Sequence, residues 1–315
     1  MKVGLIGLGR MGNAIAERLI AGGHNVIGFD PEVQMRLAAQ QLGVEIADTI
    51  ASLCQQTDII WLMVPVGAVE SVLEEVRKHL SSGAIIIDGG NSFYKDSQRR
   101  ASGLAKDGIA FLDCGTSGGV HGRGQGFCLM IGGDMAAYAK LCPLFVAIAA
   151  PGGLAYVGVS GAGHYVKMVH NGIEYGLLEA YAEGFQLLKK GSFADELNLE
   201  EIARIWNVSS VIRSWILELT RQIFQEDQDL SQVGGEIAET GMGAWTVQEA
   251  HERGIPIEVI EQSEHVRAWS RETGGDYRTK IVALLRNKFG GHAVKKMSAV
   301  ARNNGETSRS NDENI

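Results

Sequence analysis

The chain has 315 residues, 45% hydrophobic and 21% charged, with a net charge of −8. That length suffices for two domains with a buried core, and the acidic balance argues against a general nucleic-acid binder, whose phosphate contacts need a basic surface. The opening "MKVGLIGLG" carries one charge and a short apolar run without a cleavage site, and no apolar stretch reaches membrane-spanning length, so a cytoplasmic protein without membrane contact is expected.

In chain order, "KVGLIG" is a short β-capable run followed by glycines and a helical pattern, "MGNAIAERLIAGG". "HNVIGFD", "DIIWLMVP" and "AIIIDGG" predict three further strands. Between the last two, "AVESVLEEVRKHL" has helical spacing and basic residues near its end. Continuous apolar strands alternating with helices predict a parallel sheet covered on both faces, a Rossmann-type, doubly wound α/β domain. From Gly161 the texture changes to long helical patterns at Ala162–Lys190, Leu199–Phe224, Glu258–Arg271 and Arg278–Lys288. The expected organisation is an α/β domain over 1–160, an all-α domain over 161–300 and a polar, disordered tail over 301–315, with the boundary in "GVSGAG".

Three stretches carry chemistry. The first is Gly7-Leu8-Gly9-Arg10-Met11-Gly12, between a strand and a helix, with Asp30 ending the next strand. This arrangement suits a dinucleotide: glycines for the turn, the pyrophosphate approach and the packing, a helix N-terminus for the anion, and a carboxylate for the adenine ribose. Asp30 favours NAD and repels the extra phosphate of NADP, and Pro31 and Glu32 place no cation beside it in sequence. The bland alternative, a purely structural turn, fits this context less well. The second stretch, "DCGTSGGVHGRGQGF" (113–127), reads as a glycine-rich loop with backbone donors for a carboxylate or phosphate. A flexible surface loop would look the same.

The third is "VKMVHNGIEYG" (166–176). At about 100° and 1.5 Å per residue, Lys167 and Glu174 fall nearly in line, roughly 10 Å apart, with His170 and Asn171 between them on one helix face. Met168, Val169, Ile173 and Leu177 point elsewhere and are expected to pack. A partly desolvated lysine near a cationic cofactor can lose its proton near neutral pH and serve as a general base. Cys54, Cys114, Cys128 and Cys142 show no metal-ligand spacing and read as reduced thiols, so no metal is expected.

These stretches, with "DGGNS" (88–92), "GTSGG" (115–119), "GAGHYVKMVHNGIEYG" (161–176), the region of Ile212-Arg213-Ser214 and "RNKFGGH" (286–292), resemble the decarboxylating 6-phosphogluconate dehydrogenases in their short bacterial form, over about residues 1–292. Related β-hydroxyacid dehydrogenases carry a similar lysine but usually Asn-Asn where this chain has His170-Asn171. The resemblance implies oxidative decarboxylation of 6-phosphogluconate to ribulose 5-phosphate and CO2, with Lys167 as base and then acid, and Glu174 protonating C1. It implies NAD as cofactor, NADP being disfavoured, bound by the glycine turn, Asp30, Val64 and Asn91. Substrate contacts would come from Asn91, Ser117, Gly118, Gly119, His170 and Asn171, with Tyr175, Arg213 and Arg286 on the phosphate. His292 would reach the sugar or phosphate from a neighbouring subunit, in a homodimer or tetramer with shared sites. The chain departs from the longer members at 240–245, where Thr-Gly-Met-Gly-Ala-Trp replaces Lys-Gly-Thr-Gly-Lys-Trp and removes two lysines and a hydroxyl. Two alternatives stay open. One is a β-hydroxyacid dehydrogenase for a smaller acid, which would need no phosphate clamp. The other is a non-catalytic dinucleotide sensor, which would need neither Lys167 nor Glu174.

Overall fold

A computed structural model describes residues 1–239 and 241–296; the tail expected at 301–315 lies outside them. The strands are β1 (Lys2–Ile6), β2 (Asn25–Phe29), β3 (Glu45–Ile46), β4 (Ile59–Leu62), β5 (Ile85–Asp88), β6 (Ala110–Ser117), β7 (Phe127–Gly133) and β8 (Ala149–Gly158). The helices are α1 (Arg10–Ala21), α2 (Val33–Gln41), α3 (Ile50–Cys54), α4 (Val69–Arg77), α5 (Tyr94–Ala105), α6 (Gly122–Gln125), α7 (Met135–Ile148), α8 (Ala162–Lys190), α9 (Leu199–Ser209), α10 (Trp215–Glu226), α11 (Met242–Arg253), α12 (Glu258–Thr273) and α13 (Tyr277–Gly290). Two compact units emerge: Met1–Tyr175 with α11, and Gly176–Glu239 with α13 and most of α12. Lys167 through Tyr175 therefore fold with the sheet.

The sheet order is β3-β2-β1-β4-β5-β6-β7-β8. The first six strands are parallel; β7 runs antiparallel to β6, and β8 parallel to β7. Period-two alternation splits the core. Val3, Leu5, Trp61, Ile85 and Ile87 pack with Leu19 of α1 and Leu144 and Phe145 of α7. Ile6, Ile60, Leu62 and Ile86 pack with Leu53 of α3, Leu73 and Val76 of α4 and Leu104 of α5. Each such fully buried side chain contributes about 1.5–3 kcal/mol. The order reverses between β1 and β4, so the loops after these strands form the crevice in which doubly wound folds hold ligands.

Four of the eight strands correspond to the runs named from sequence. Strand β6 contains Asp113–Ser117, read above as the start of a loop, because its glycines hide the alternation. Strand β8, "AAPGGLAYVG", lies at the sheet edge, where its proline is tolerated.

The helical unit has its own core of Leu178, Phe185, Leu199, Leu217, Phe224, Ile281 and Leu285. The helix expected over Leu199–Phe224 is two. The chain breaks at 210–214, where the Ser214 side chain accepts the Leu217 N–H and Asn207 accepts the Ser214 N–H. This serine cap ends what hydrophobic periodicity would have continued. Ile173 and Leu177, expected to pack, are 53% and 45% exposed. Among the described residues no helix is long and apolar enough to cross a membrane.

Candidate active site

The glycine turn joins β1 to α1. Gly7 takes φ +95°, and a Cβ there would sit 2.5 Å from the Met63 carbonyl oxygen. Nothing lies within 4 Å of where a Cβ on Gly9 would point, so the turn is open where a pyrophosphate must approach. α1 begins at Arg10 with no side chain capping its first turn, which leaves a positive helix end beside Gly9, Met11 and Gly12. Asp30 is 7% exposed. Its Oδ2 accepts the Leu8 N–H at 2.8 Å and its Oδ1 the Glu32 N–H at 2.9 Å. A carboxylate has about four acceptor positions, so two remain for ribose hydroxyls. The sequence showed no cation next to Asp30, but in space Arg36 Nη1 donates to the carbonyls of Asp30 and Pro31. Val64 adjoins the turn on one side and the loop after β5 on the other: its Cγ1 would lie 3.2 Å from a Cβ on Gly7, its carbonyl 3.1 Å from one on Gly90. Asn91, next in that loop, is exposed. The open turn, the helix end and Asp30 fit a dinucleotide.

Lys167 is placed by backbone proximity. A Cβ on Gly115 of β6 would come within 2.6 Å of both the Lys167 Cβ and the Gly163 carbonyl, so only glycine lets α8 lie this close to the strand. Asp113, two residues earlier, accepts the Gly161 N–H at 2.7 Å and the His164 N–H at 2.9 Å. It caps the first turn of α8 from 48 residues away, and no local pattern could have revealed it.

Lys167 is 6% exposed. Burial pushes its pKa below the ordinary lysine value, opposed by the charges of Glu174 and Cys128. His170 Nδ1 lies 3.4 Å from Lys167 Nζ and 3.0 Å from Asn171 Oδ1, while its Nε2 lies 3.1 Å from Ser117 Oγ. Burial, and next the Lys167 charge, hold the imidazole below its usual pKa. A neutral ring with its proton on Nδ1 donates to Asn171 and accepts from Ser117. An ammonium on Lys167 would then face an N–H, which favours the free amine. The strand end carrying Ser117 thus meets the helix carrying Lys167, His170 and Asn171. Gly118 and Gly119, at φ +129° and +53°, turn the chain just after Ser117. Glu174 is half-buried and Tyr175 buried.

Helix α11, unnamed in the sequence reading, packs beside these groups. Thr246 Oγ1 donates to the Met168 carbonyl at 2.9 Å, and Met242 packs with Tyr94 and Met168. Tyr94 also donates to Glu249 at 2.5 Å. The departure from the longer family members therefore falls at the start of α11: Met242 is buried in an apolar contact, and Ala244 is exposed without a charge.

In the helical unit, Arg213 is exposed within the break before α10. Arg286 is 4% exposed near the end of α13. His292 follows Gly291, whose left-handed conformation ends that helix, and the Asn287 side-chain amide donates to the His292 carbonyl.

Residues 2–168 match the family model for the NAD binding domain of 6-phosphogluconate dehydrogenase, and residues 163–305 that for its C-terminal domain. The chain is 44% identical over 302 residues to a Haloferax volcanii protein named as an NAD(+)-dependent, decarboxylating 6-phosphogluconate dehydrogenase, with 94% of this chain and 99% of that one covered. A Bacillus subtilis protein of the same name is 35% identical over 283 residues, covering 83% of this chain and 59% of that longer one. The solved Plasmodium falciparum 6-phosphogluconate dehydrogenase superposes with a TM-score of 0.74 at 25% identity, covering 90% of this chain and 70% of that one. On these matches, the chain belongs to the 6-phosphogluconate dehydrogenase family.

Proposed function

We propose that this chain oxidises and decarboxylates 6-phosphogluconate to ribulose 5-phosphate and CO2, with NAD preferred. The observation that carries this reading is the buried Lys167 amine, set against His170 and Ser117 in the same unit as the dinucleotide turn. NAD, when bound, supplies the hydride acceptor. Lys167, as free amine, takes the C3 hydroxyl proton as hydride leaves C3. The resulting 3-keto acid breaks its C1–C2 bond to release CO2, and the Lys167 ammonium protonates the enolate oxygen. Glu174 then protonates the carbon that lost CO2 while Lys167, again a free amine, takes back the enol O–H proton, giving the ketone. Ser117, Gly118 and Gly119 face the carboxylate end, His170 and Asn171 the hydroxyls, and Asn91 the space between substrate and nicotinamide. Tyr175, Arg213 and Arg286 are assigned to the phosphate, and His292 to the sugar hydroxyls or phosphate of a neighbouring subunit's site. Residues 1–160 hold the cofactor, and 161–300 serve substrate and assembly.

We assign a homodimer, or a tetramer built from dimers, working in the cytoplasm. The support is apolar surface that a single chain leaves in water: Val211 is 103% and Trp215 45% exposed, on either side of Arg213, and Ile173 and Leu177 lie exposed on α8. In a single chain Arg286 is buried and His292 partly exposed.

The test is formation of NADH from NAD, or NADPH from NADP, with 6-phosphogluconate, and CO2 measured alongside. NAD-dependent NADH and CO2 in equal amounts are expected. One observation favours a second reading, a smaller unphosphorylated β-hydroxyacid: the start of α11 lacks the lysines of the longer relatives. Turnover of such an acid without CO2, and none of 6-phosphogluconate, would replace the first reading with the second.

A further inference from the structure

The loop that presents Asn91 hangs from a buried ion pair that the chemistry above does not use. Asp88 ends β5 and is wholly buried. Its Oδ1 accepts the Gly90 N–H at 3.1 Å; its Oδ2 accepts the Ser92 hydroxyl at 2.7 Å and Arg100 Nη1 at 3.2 Å. Arg100, on α5, is 6% exposed. From its other edge, Nε donates to Glu70 Oε1 at 2.9 Å, and Arg99 Nη2 donates to the same oxygen at 2.6 Å. Glu70 lies in the first turn of α4, just after the Val64–Pro65 segment that leaves β4. One guanidinium thus spans the loops that follow two adjacent strands, β4 and β5.

These loops lie across the switch point from Asp30. A dinucleotide in a doubly wound sheet crosses that point, with its adenine ribose at the strand carrying Asp30 and its other half over β4 and β5. A buried ion pair adds little net stability over an apolar pair of similar size, because desolvation offsets the attraction. Its placement under these two loops, rather than elsewhere in the core, calls for another account. A planar, forked cation holds two carboxylates at a fixed spacing, which a lysine cannot do.

We infer that Arg100 is a positioning residue for the nicotinamide half of the cofactor site: through Asp88 it sets the Gly89–Ser92 loop, and through Glu70 it sets that loop against the Val64 segment. The inference rests on the dinucleotide reading and not on the identity of the sugar acid.

The test separates the two halves of the cofactor. NADH binding is followed by fluorescence, and ADP-ribose, which lacks nicotinamide, by calorimetry, on the full chain and on Arg100→Lys and Glu70→Gln. Arg100→Lys keeps a charge beside Asp88 but loses the fork. It should weaken NADH binding about tenfold and lower kcat on the order of 10–100-fold, as a misplaced reacting partner does. ADP-ribose binding should stay within about twofold. Glu70→Gln, at the more exposed end, should shift the same quantities in the same direction by less, and it decides the matter if Arg100→Lys does not fold. Equal weakening of NADH and ADP-ribose, or no change in either, overturns the inference. A native chain that binds NADH yet leaves 6-phosphogluconate untouched would remove the proposed reaction and leave this brace standing.

Discussion

The two units treat buried charge differently. In the sheet unit, Asp30 and Asp113 are buried but bound to backbone N–H groups, so each carboxylate fixes a turn or a helix start. Asp88 in the same unit joins a backbone N–H to the Arg100 fork, whereas in the helical unit the buried Glu179 faces side chains alone. Glu179 lies 3.7 Å from Arg278, burial pushes its carboxyl up to about 7 against the pull of Arg278, and Arg267 is buried nearby in the electrostatics of the same group. Both units leave apolar side chains in water, and the helical unit gathers Val208, Val211, Ile212 and Trp215 around the break at 210–214. The sheet unit thus uses its buried carboxylates to fix loops and helix starts, whereas the helical unit leaves one buried carboxylate against a single arginine and groups exposed apolar side chains at one chain break.

The largest expected effect breaks the sheet unit's chemistry while sparing its architecture. Lys167→Ala should lower kcat on the order of 10²–10⁴-fold with NADH binding retained. Near-normal turnover would mean that the base lies elsewhere. The pH dependence sharpens this. Oxidation needs the free amine, so kcat/KM should rise with pH along the acid limb. Because the Glu174 charge raises the Lys167 pKa, Glu174→Gln should move that limb to lower pH, read by stopped-flow NADH formation in a single turnover. A limb that moves upward contradicts the assignment.

The next test strikes the helical unit. Val211→Glu with Trp215→Glu should dissociate the assembly, read by light scattering at assay concentration. A native chain already monomeric there would end the shared-site proposal. In the native assembly, mixing inactive Lys167→Ala and Arg286→Ala chains under subunit exchange should restore part of the activity only if Arg286 serves its neighbour's site.

A smaller effect is expected at the cofactor. Asp30→Asn removes one like charge from the adenine ribose, so the NAD-to-NADP ratio of kcat/KM should fall about tenfold, or ~1.4 kcal/mol. Better use of NADP than NAD by the unmodified chain would refute the role given to Asp30.

The smallest effect concerns stability. Glu179 has a folded pKa of about 7, above its ordinary value of 4.5, so the folded state binds the extra proton. Its stabilising contribution is full below the unfolded value and is lost as pH rises through 7. Glu179→Gln escapes that loss. The melting temperature of the variant relative to the native chain should rise by about 2–4 °C between pH 5 and pH 8. A difference that is flat with pH would show that Arg278 already neutralises the carboxylate.

Much of the sheet was legible because its strands β1, β2, β4 and β5 are continuous apolar runs bounded by turn residues. Strands β6 and β7 were not, since Gly115 and Gly132 sit where α8 presses against the sheet, and that requirement is tertiary. The face of α8 was legible from spacing alone, because Lys167, His170 and Asn171 need only helical geometry to meet. Its support was not: Asp113 and Arg100 act across 48 and 12 residues, and no local pattern encodes such partners. The break at 210–214 was visible in principle in Ser214, a capping residue type, but the apolar periodicity on either side concealed it.

The two N–H groups held by Asp30 also constrain how a chain with the proposed cofactor could change it over evolutionary time. Leu8 and Glu32 each present a donor to one carboxylate oxygen. An asparagine there offers one oxygen and one amide N–H₂, so one of the two donors would meet another donor, and an alanine would leave both unmet. A lineage moving toward NADP through position 30 must therefore pass through a chain whose glycine turn has loosened before any new cation has gained a phosphate to hold. Substitution at Leu8 or Glu32 does not remove these donors, because both are backbone N–H groups, so the proposed preference for NAD would rest on the turn as much as on the charge.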